Sequence, residues 1–411
     1  MIYKFLTCFV VSLCSIGSLC AQSLNGDWTG ALELGGGRTL KLVLHISDSP
    51  SAITMDSPDQ GAYGLNCNVI YMENDSVNLS IPNLTMSYSG RMKGNTLSGV
   101  FRQGGIKLPL ALERGVKKAN RPQTPVPPFP YREENVKIEN TTENAVLAGT
   151  LTIPEGCTVS TPVVVMLSGS SAQNRDEELF EHKPFAVIAD YLARNGIASL
   201  RYDDRGFGES SGDRANATTE NFASDAESAI NWLKKQNRFG KTGIIGHSEG
   251  GMIAYMLGDR DDILDFIISI AGPATNGAEI LDYQNKLALM KNGLNVVQAG
   301  EYAINARRQI ESDPSMKWMH FFLQYDPSGD LQKLRVPALI IYGEKDRQVP
   351  PSLNLEKARQ LAPNAIVKCF PNLNHLMQEA ETGDVEEYNR IEQTISPVVL
   401  TEMLDFITGL K

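Results

Sequence analysis

The residues most suited to chemistry are Gly246-His247-Ser248-Glu249-Gly250-Gly251, which follow the apolar strand Thr242 to Gly246 and open a helical run from Gly250 to Leu257. The Gly-x-Ser-x-Gly spacing has a steric reason. A serine on a sharp strand-to-helix turn sits in a strained backbone conformation, where side chains two residues to either side would collide. Such a turn presents Oγ at the top of a sheet and sets the free N–H groups of a helix N-terminus beneath developing negative charge. The chemistry is nucleophilic attack by Ser248. The bland reading is a glycine-rich turn with an incidental serine, and the strand–turn–helix context favours the nucleophile.

A serine hydroxyl needs a base, and the base needs an orienting carboxylate. The strand Ala338 to Tyr342 runs into Gly343-Glu344-Lys345-Asp346-Arg347-Gln348-Val349-Pro350, and an acid just past a strand end can reach an imidazole. Asp346 is chosen over Glu344, which is expected in the turn facing solvent. The chain has five histidines: His45, His182, His247, His320 and His375. His375 follows the next strand, in Asn372-Leu373-Asn374-His375, from where a loop can swing it between Ser248 and Asp346. His247 is locked beside the nucleophile with its ring directed elsewhere, His182 precedes an early helix, His320 lies in an inserted segment, and His45 reads as an ordinary strand residue.

The elements that must position these residues fall into four stretches. Residues 1–21 carry one charge, Lys4, and an apolar run from Phe5 to Cys20, shorter than the roughly 20 apolar residues of a comfortable span. They read as a signal peptide, with an uncleaved anchor as runner-up. Lipidation of Cys20 is disfavoured by the bulky Leu19 before it. Periplasmic or extracellular localisation follows. Residues 22–115 alternate with period two (Leu40, Leu42, Leu44; Val77, Leu79, Ile81) between turn clusters, which predicts a small all-β sandwich or barrel. Residues 116–132 form a linker around Arg121-Pro122-Gln123-Thr124-Pro125-Val126-Pro127-Pro128-Phe129-Pro130, extended and packed along the second domain.

From 133 to 411 strands and helices alternate. Val163 to Leu167 is continuously apolar, as in a strand covered on both faces. Repeated βα units build a doubly wound, mostly parallel sheet whose functional residues lie at the carboxyl ends of strands. Between Ala271 and Pro337 about 65 residues exceed any ordinary βα connection. Ala278 to Asn292 and Val296 to Ser312 read as helices, followed by Trp318, Met319, Phe321, Phe322 and Tyr325. This insertion, about 273–334, is expected to be a helical lid over the serine or to pack its aromatics onto the domain.

Composition sets limits. With 38 Lys+Arg against 48 Asp+Glu, the net charge is −10, so nucleic acid is a poor partner. Cys67, Cys157 and Cys369 remain after a signal is removed, allowing at most one disulfide, and no Cys/His spacing suggests zinc.

Tyr202-Asp203-Asp204-Arg205-Gly206-Phe207-Gly208-Glu209-Ser210, with Gly246 to Gly250, Gly343 to Asp346 and Asn374-His375, resembles the α/β-hydrolase superfamily over about 133–411. The likeness is specifically to secreted bacterial serine esterases with a small β domain in front. It implies the α/β-hydrolase fold and an oxyanion hole of two backbone N–H groups, one from Glu249. The other is assigned to Ser171, with Ser170 in reserve, in Ser168-Gly169-Ser170-Ser171-Ala172-Gln173-Asn174-Arg175-Asp176. Such esterases tend to read Gly-Ser-Gly-Pro-x-Asp-Arg-Asp there. This chain has Ser171, Ala172 and Asn174 instead, and serine tolerates positive φ poorly. Asp203, Asp204 and Arg205 read as structural. The expected function is hydrolysis of a small-molecule acyl ester by Ser248, His375 and Asp346, without metal or organic cofactor and with no integral membrane segment in the mature chain. The alternatives are a serine peptidase, an acyl thioesterase or a non-catalytic binding protein. Expected partners of the β domain are glycan, envelope or the catalytic domain.

Overall fold

The structure, a computed structural model, describes residues 23–35, 38–47, 53–73, 75–115, 118–260 and 263–410. The expected signal peptide and Cys20 lie outside them. No helix among the described residues is long and apolar enough to cross a membrane. Cys67, Cys157 and Cys369 are free thiols.

The described residues divide into two compact units. The first is built on β1 (Gly26–Gly35), β2 (Arg38–Ile46), β3 (Thr54–Ser57), β4 (Ala62–Asn66), β5 (Asn68–Glu73), β6 (Ser76–Ile81), β7 (Met86–Lys93), β8 (Thr96–Gln103) and β9 (Ile106–Arg114). They form one continuous sheet in the order β4-β3-β2-β1-β9-β8-β7-β6-β5. Period-two patterning does the work expected of it. On β6, Val77, Leu79 and Ile81 are buried while the polar residues between them are half-exposed. Trp28 is fully buried and donates its indole N–H to the Leu24 carbonyl at 2.7 Å, which satisfies its one polar group.

The second unit begins at residue 117, and Glu33–Leu42 and Asp56–Tyr63 group with it. Its strands are β10 (Tyr131–Asn140), β11 (Ala145–Pro154), β12 (Val163–Leu167), β13 (Ala198–Tyr202), β14 (Thr242–His247), β15 (Phe266–Ile270), β16 (Ala338–Gly343) and β17 (Ile366–Phe370). Their order is β10-β11-β13-β12-β14-β15-β16-β17; the first two pairings are antiparallel and the rest parallel. No element is read from the sequence over 131–154, where the structure has the antiparallel pair β10–β11.

The helices are α1 (Pro184–Arg194), α2 (Thr219–Gln236), α3 (Glu249–Gly258), α4 (Gly277–Lys291), α5 (Val296–Ser312), α6 (Lys317–Gln324), α7 (Ser328–Gln332), α8 (Pro351–Leu361) and α9 (Pro397–Gly409). The apolar runs of the strands are explained by helices on both faces. Val163, Val165 and Leu167 pack into one core with Ala226, Ile230, Tyr255 and Ala358 of α2, α3 and α8. Val164 and Met166 face the other, with Phe185, Ile188 and Leu192 of α1 and Val399 and Met403 of α9. Each such aliphatic side chain contributes about 1.5–3 kcal/mol on burial.

The proline-rich strap is part of the second unit. Arg121 donates to the carbonyls of Phe180, Asn389 and Ile391, and Gln123 accepts from the N–H groups of Thr394 and Ile395. The long insertion holds α4 to α7, with the first two helices within one residue of the predicted spans.

Candidate active site

Strand order fixes where chemistry can gather. β12 is followed in sequence by β13 on one side and has β14 on the other, so the loop after β12 and the loop after β14 open side by side at a topological switch point. In register, Leu167 stands opposite Gly246. Ser168-Gly169 therefore emerges next to His247-Ser248.

Ser248 has φ 53 and ψ −114, a left-handed conformation costly for any residue but glycine. Its N–H donates to the Ile270 carbonyl at 2.8 Å, and its own carbonyl accepts from Met252 N to start α3. Both flanking glycines are obligatory. A Cβ on Gly246 would lie 2.0 Å from the Gly250 carbonyl oxygen, and one on Gly250 2.1 Å from that of Leu167. The N–H of Glu249 belongs to the first turn of α3, where no intrahelical acceptor exists.

Asp346 and His375 come together from the loops after β16 and β17, 2.8 Å between Oδ2 and Nδ1, both buried. The other oxygen of Asp346 accepts from the N–H groups of Gln348 and Val349 at 2.7 and 2.8 Å, which fixes the carboxylate before the imidazole meets it. Gly343 makes room for the His375 loop, since a Cβ there would sit 2.4 Å from the Leu373 carbonyl oxygen. Asn374 braces the same loop by accepting from Leu376 and Gln378 N–H. Glu344 is exposed and accepts from Asn372 N. The other histidines lie elsewhere: His45 contacts Asp27, His320 the Ile310 carbonyl, and buried His182 sits between Thr394 and the Tyr388 carbonyl.

The loop after β12 keeps a path that asks for glycine at one point. Ser171 adopts φ 85. The charged run after β13 holds this loop: Asp204 accepts from Ser168 Oγ at 2.8 Å and Gln173 N at 2.9 Å, while Asp203 takes the Arg175 guanidinium on both oxygens. Burial pushes the Asp204 carboxyl up to about 7, against the pull of Arg214, Ser168 and the Gln173 N–H. Burial also raises the Asp203 carboxyl, but Arg175 and two backbone N–H groups outweigh it and leave it below the ordinary value. Arg205 turns away to Asp225 and Glu143. A small cavity of about 20 Å³ lies behind the loop, lined by Ser168, Gly169, Ser171, Asp204, Phe222 and Glu249 among others.

Three side-chain roles were not legible: those of Glu177, of the Glu249 carboxylate and of Trp318 as its donor. Glu177 is buried and receives the Gly169 N–H at 2.7 Å and His247 Nδ1 at 2.8 Å. His247 does point away from Ser248, and its Nε2 meets the carbonyl of His375 at 3.0 Å. The carboxylate of Glu249 accepts from Thr219 Oγ1 at 2.6 Å and from Trp318 Nε1 of α6 at 2.8 Å. Burial pushes that carboxyl up, opposed by Thr219, Trp318 and Ser170. No spacing rule singles out Glu177 or Trp318; the one available signal was the density of acids after the loop, Asp176-Glu177-Glu178. Among the described residues no group of His, Cys, Asp and Glu could hold a metal ion.

Strand order, the strained serine and its two glycines give the chain the fold of the α/β hydrolases. Residues 181–298 match the family described as "Serine aminopeptidase, S33". Esterase EstD of Thermotoga maritima is 28% identical over 270 residues, 62% of this chain and 62% of that protein, so the match spans about three fifths of the relative's length. A bifunctional esterase/perhydrolase of Acinetobacter calcoaceticus is 26% identical over 226 residues, 47% of this chain and 80% of that one. A hypothetical protein of Pseudomonas aeruginosa superposes with a TM-score of 0.50 at 15% identity, covering 72% of this chain and 99% of its own. The chain has the α/β-hydrolase fold and is similar in sequence to proteins described as esterases.

Proposed function

We propose that this chain is a serine hydrolase of carboxylic esters that works through an acyl-enzyme. The observation that carries the reading is the buried Asp346–His375 pair, whose residue 375 carbonyl rests on the ring adjoining Ser248. Ser248 Oγ attacks the ester carbonyl as His375 Nε2 takes its proton. The N–H groups of Glu249 and Ser171 receive the oxyanion, with Ser170 in reserve for the second position. Collapse of the tetrahedral intermediate breaks the C–O bond, and His375 returns the proton to the leaving alcohol. Water, deprotonated by His375, then cleaves the acyl–Ser248 bond and regenerates the hydroxyl. Asp346 holds the Nδ1–H tautomer and stabilises the imidazolium.

The helical segment about 273–334 serves as lid, its Trp318 reaching the residue after the nucleophile. The β domain, about 22–115, has glycan, envelope or the catalytic domain as its expected partner. Residues 1–21 export the chain to the periplasm or beyond. A second reading, cleavage of an aminoacyl bond, is favoured by the description of the matching family.

The test is a panel of acetyl, longer acyl and aminoacyl substrates with wild type and Ser248→Ala, alongside a fluorophosphonate label. Ester turnover and labelling that both vanish in the variant support the proposal. Undiminished ester hydrolysis by Ser248→Ala would sink it, and turnover of aminoacyl substrates alone would move the reading to a peptidase.

A further inference from the structure

His247 touches acceptors at both ring nitrogens: a Glu177 carboxylate oxygen at Nδ1, 2.8 Å, and the His375 carbonyl oxygen at Nε2, 3.0 Å. A carbonyl oxygen cannot donate, and an ionised carboxylate is an acceptor only, while a neutral imidazole carries a single N–H. One proton too few would leave two lone pairs facing each other in a buried site. Between a carboxyl and an imidazole the proton resides on the imidazole, the stronger base by about two units. Glu177 Oε1 is also committed to the Gly169 N–H at 2.7 Å. The groups gather around one point: a Cβ built on Gly169 would lie 3.3 Å from both Glu177 Oε1 and Ser248 Cβ, and 3.5 Å from His247 Nδ1. Glu177 itself is held at φ 52, a conformation that costs a glutamate energy and persists only when surroundings impose it.

We propose that His247 and Glu177 form a permanent buried ion pair that acts as the positioning device of the site, the imidazolium clasping the His375 loop with one N–H and the oxyanion loop, through Glu177, with the other. Three segments that must agree to within about 0.5 Å for reaction are thereby tied to a single ring beside the nucleophile. The inference rests on the assignment of Ser248 and His375 given above. Charged or titratable groups facing the ring are Glu177 from the loop after β12, the His375 ring at 4.7 Å between centroids, and Asp346 behind it. Burial lowers the proton affinity of His247, and the charge and hydrogen bond of Glu177, the residue 375 carbonyl and Asp346 outweigh it, so its titration lies above the ordinary histidine value. The pair loses its clasp when His247 gives up that proton.

The test reads the ring directly, in the full chain with 15N-labelled histidine and no substrate. At pH 8 the His247 resonance, identified by its loss in His247→Gln, is expected to show both nitrogens protonated. A single protonated nitrogen at pH 8 overturns the proposal. Glu177→Gln keeps an acceptor for both N–H groups and removes the charge. Its kcat is expected to fall at least tenfold at pH 8 with KM within about threefold, and its His247 to show a single protonated nitrogen there, since burial is no longer offset by the carboxylate charge. No loss of kcat, or a His247 still protonated at both nitrogens in Glu177→Gln, overturns the positioning role. If Glu177→Gln fails to fold, Glu177→Asp, which retains the charge on a shorter arm, is expected to keep both nitrogens of His247 protonated while lowering kcat; neutral His247 in that variant overturns the pair. Failure of the ester-hydrolase reading shows itself separately, in Ser248→Ala.

Discussion

Trp318 donates its indole N–H to Oε1 of Glu249 at 2.8 Å, so a residue of the inserted helix α6 holds the side chain of the residue directly after Ser248. Thr219, the first residue of α2, donates to the same oxygen at 2.6 Å. The carboxyl is buried, and removal of one donor to a buried acceptor costs about 1–3 kcal/mol. Trp318 also stacks on Phe322, with ring centroids 5.6 Å apart.

Trp318→Phe keeps that stacking partner and deletes the donor. The expected outcome is a melting temperature lowered by a few degrees, and KM for a short acyl ester raised with kcat changed less than about threefold, because Trp318 bonds the Glu249 side chain and not its backbone N–H. Thermal melts and steady-state kinetics check both. An unchanged KM would detach α6 from substrate binding.

Much of this arrangement was legible in the chain and some was not. The elbow was legible because sterics demand Gly246 and Gly250, and Asp346 and His375 because each follows an apolar strand run. Helices α4 and α5 were legible as helical spans, and the structure opens each with an asparagine cap, Asn276 and Asn295. β10 and β11 did not, since the exposed positions of β10 carry charges on an edge strand and its apolar residues are sparse. Glu177 was hidden for a different reason. Its role comes from a contact 70 residues away, with His247, and no local pattern encodes a partner at that separation.

Ser171 stands at φ 85, where glycine is the residue without strain. Ser171→Gly keeps the backbone N–H assigned to the oxyanion and removes a conformational cost of about 1–2 kcal/mol, offset in part by the greater freedom of an unfolded glycine, about 0.5–1 kcal/mol. The variant is expected to be as stable as wild type or more so, with kcat within about threefold. Ser171→Val, branched at Cβ in the same conformation, is expected to lose more than tenfold in kcat. Denaturant midpoints and kinetics on the two variants decide it; a fully active Ser171→Val would shift the second donor to Ser170.

Asp204 gives a pH signature with a definite sign. Unfolded, its carboxyl titrates near the ordinary value of 3.8; folded, burial moves it to about 7. Between those values the folded protein keeps a proton that the unfolded chain has released, so stability falls as pH rises from about 4 to about 7 and is flat in this respect above. Asp204→Asn cannot ionise, and its amide can still accept from Gln173 N while donating to Ser168 Oγ. Relative to wild type, the variant is expected to gain stability steadily from pH 4 to pH 7. Urea midpoints at pH 4, 5.5 and 8 measure the difference, from which other titrating groups cancel; a difference independent of pH would contradict the raised carboxyl.

Asp346 meets three N–H groups with two oxygens: Gln348 and Val349 on one, His375 on the other. Asp346→Asn has one oxygen, and the two backbone donors claim it. The amide nitrogen must then face His375 Nδ1, which has to present a lone pair and leaves the ring's proton on Nε2. The ring is thereby held in the tautomer that cannot accept from Ser248, with its loop otherwise undisturbed. The expected outcome is a loss of about 10³- to 10⁴-fold in kcat with little change in KM or in melting temperature. Steady-state kinetics with a short acyl ester, beside a melting curve, check it. A fall of less than tenfold in a folded variant would mean that Asp346 does not set the state of His375, and with it the assignment of the base would fall.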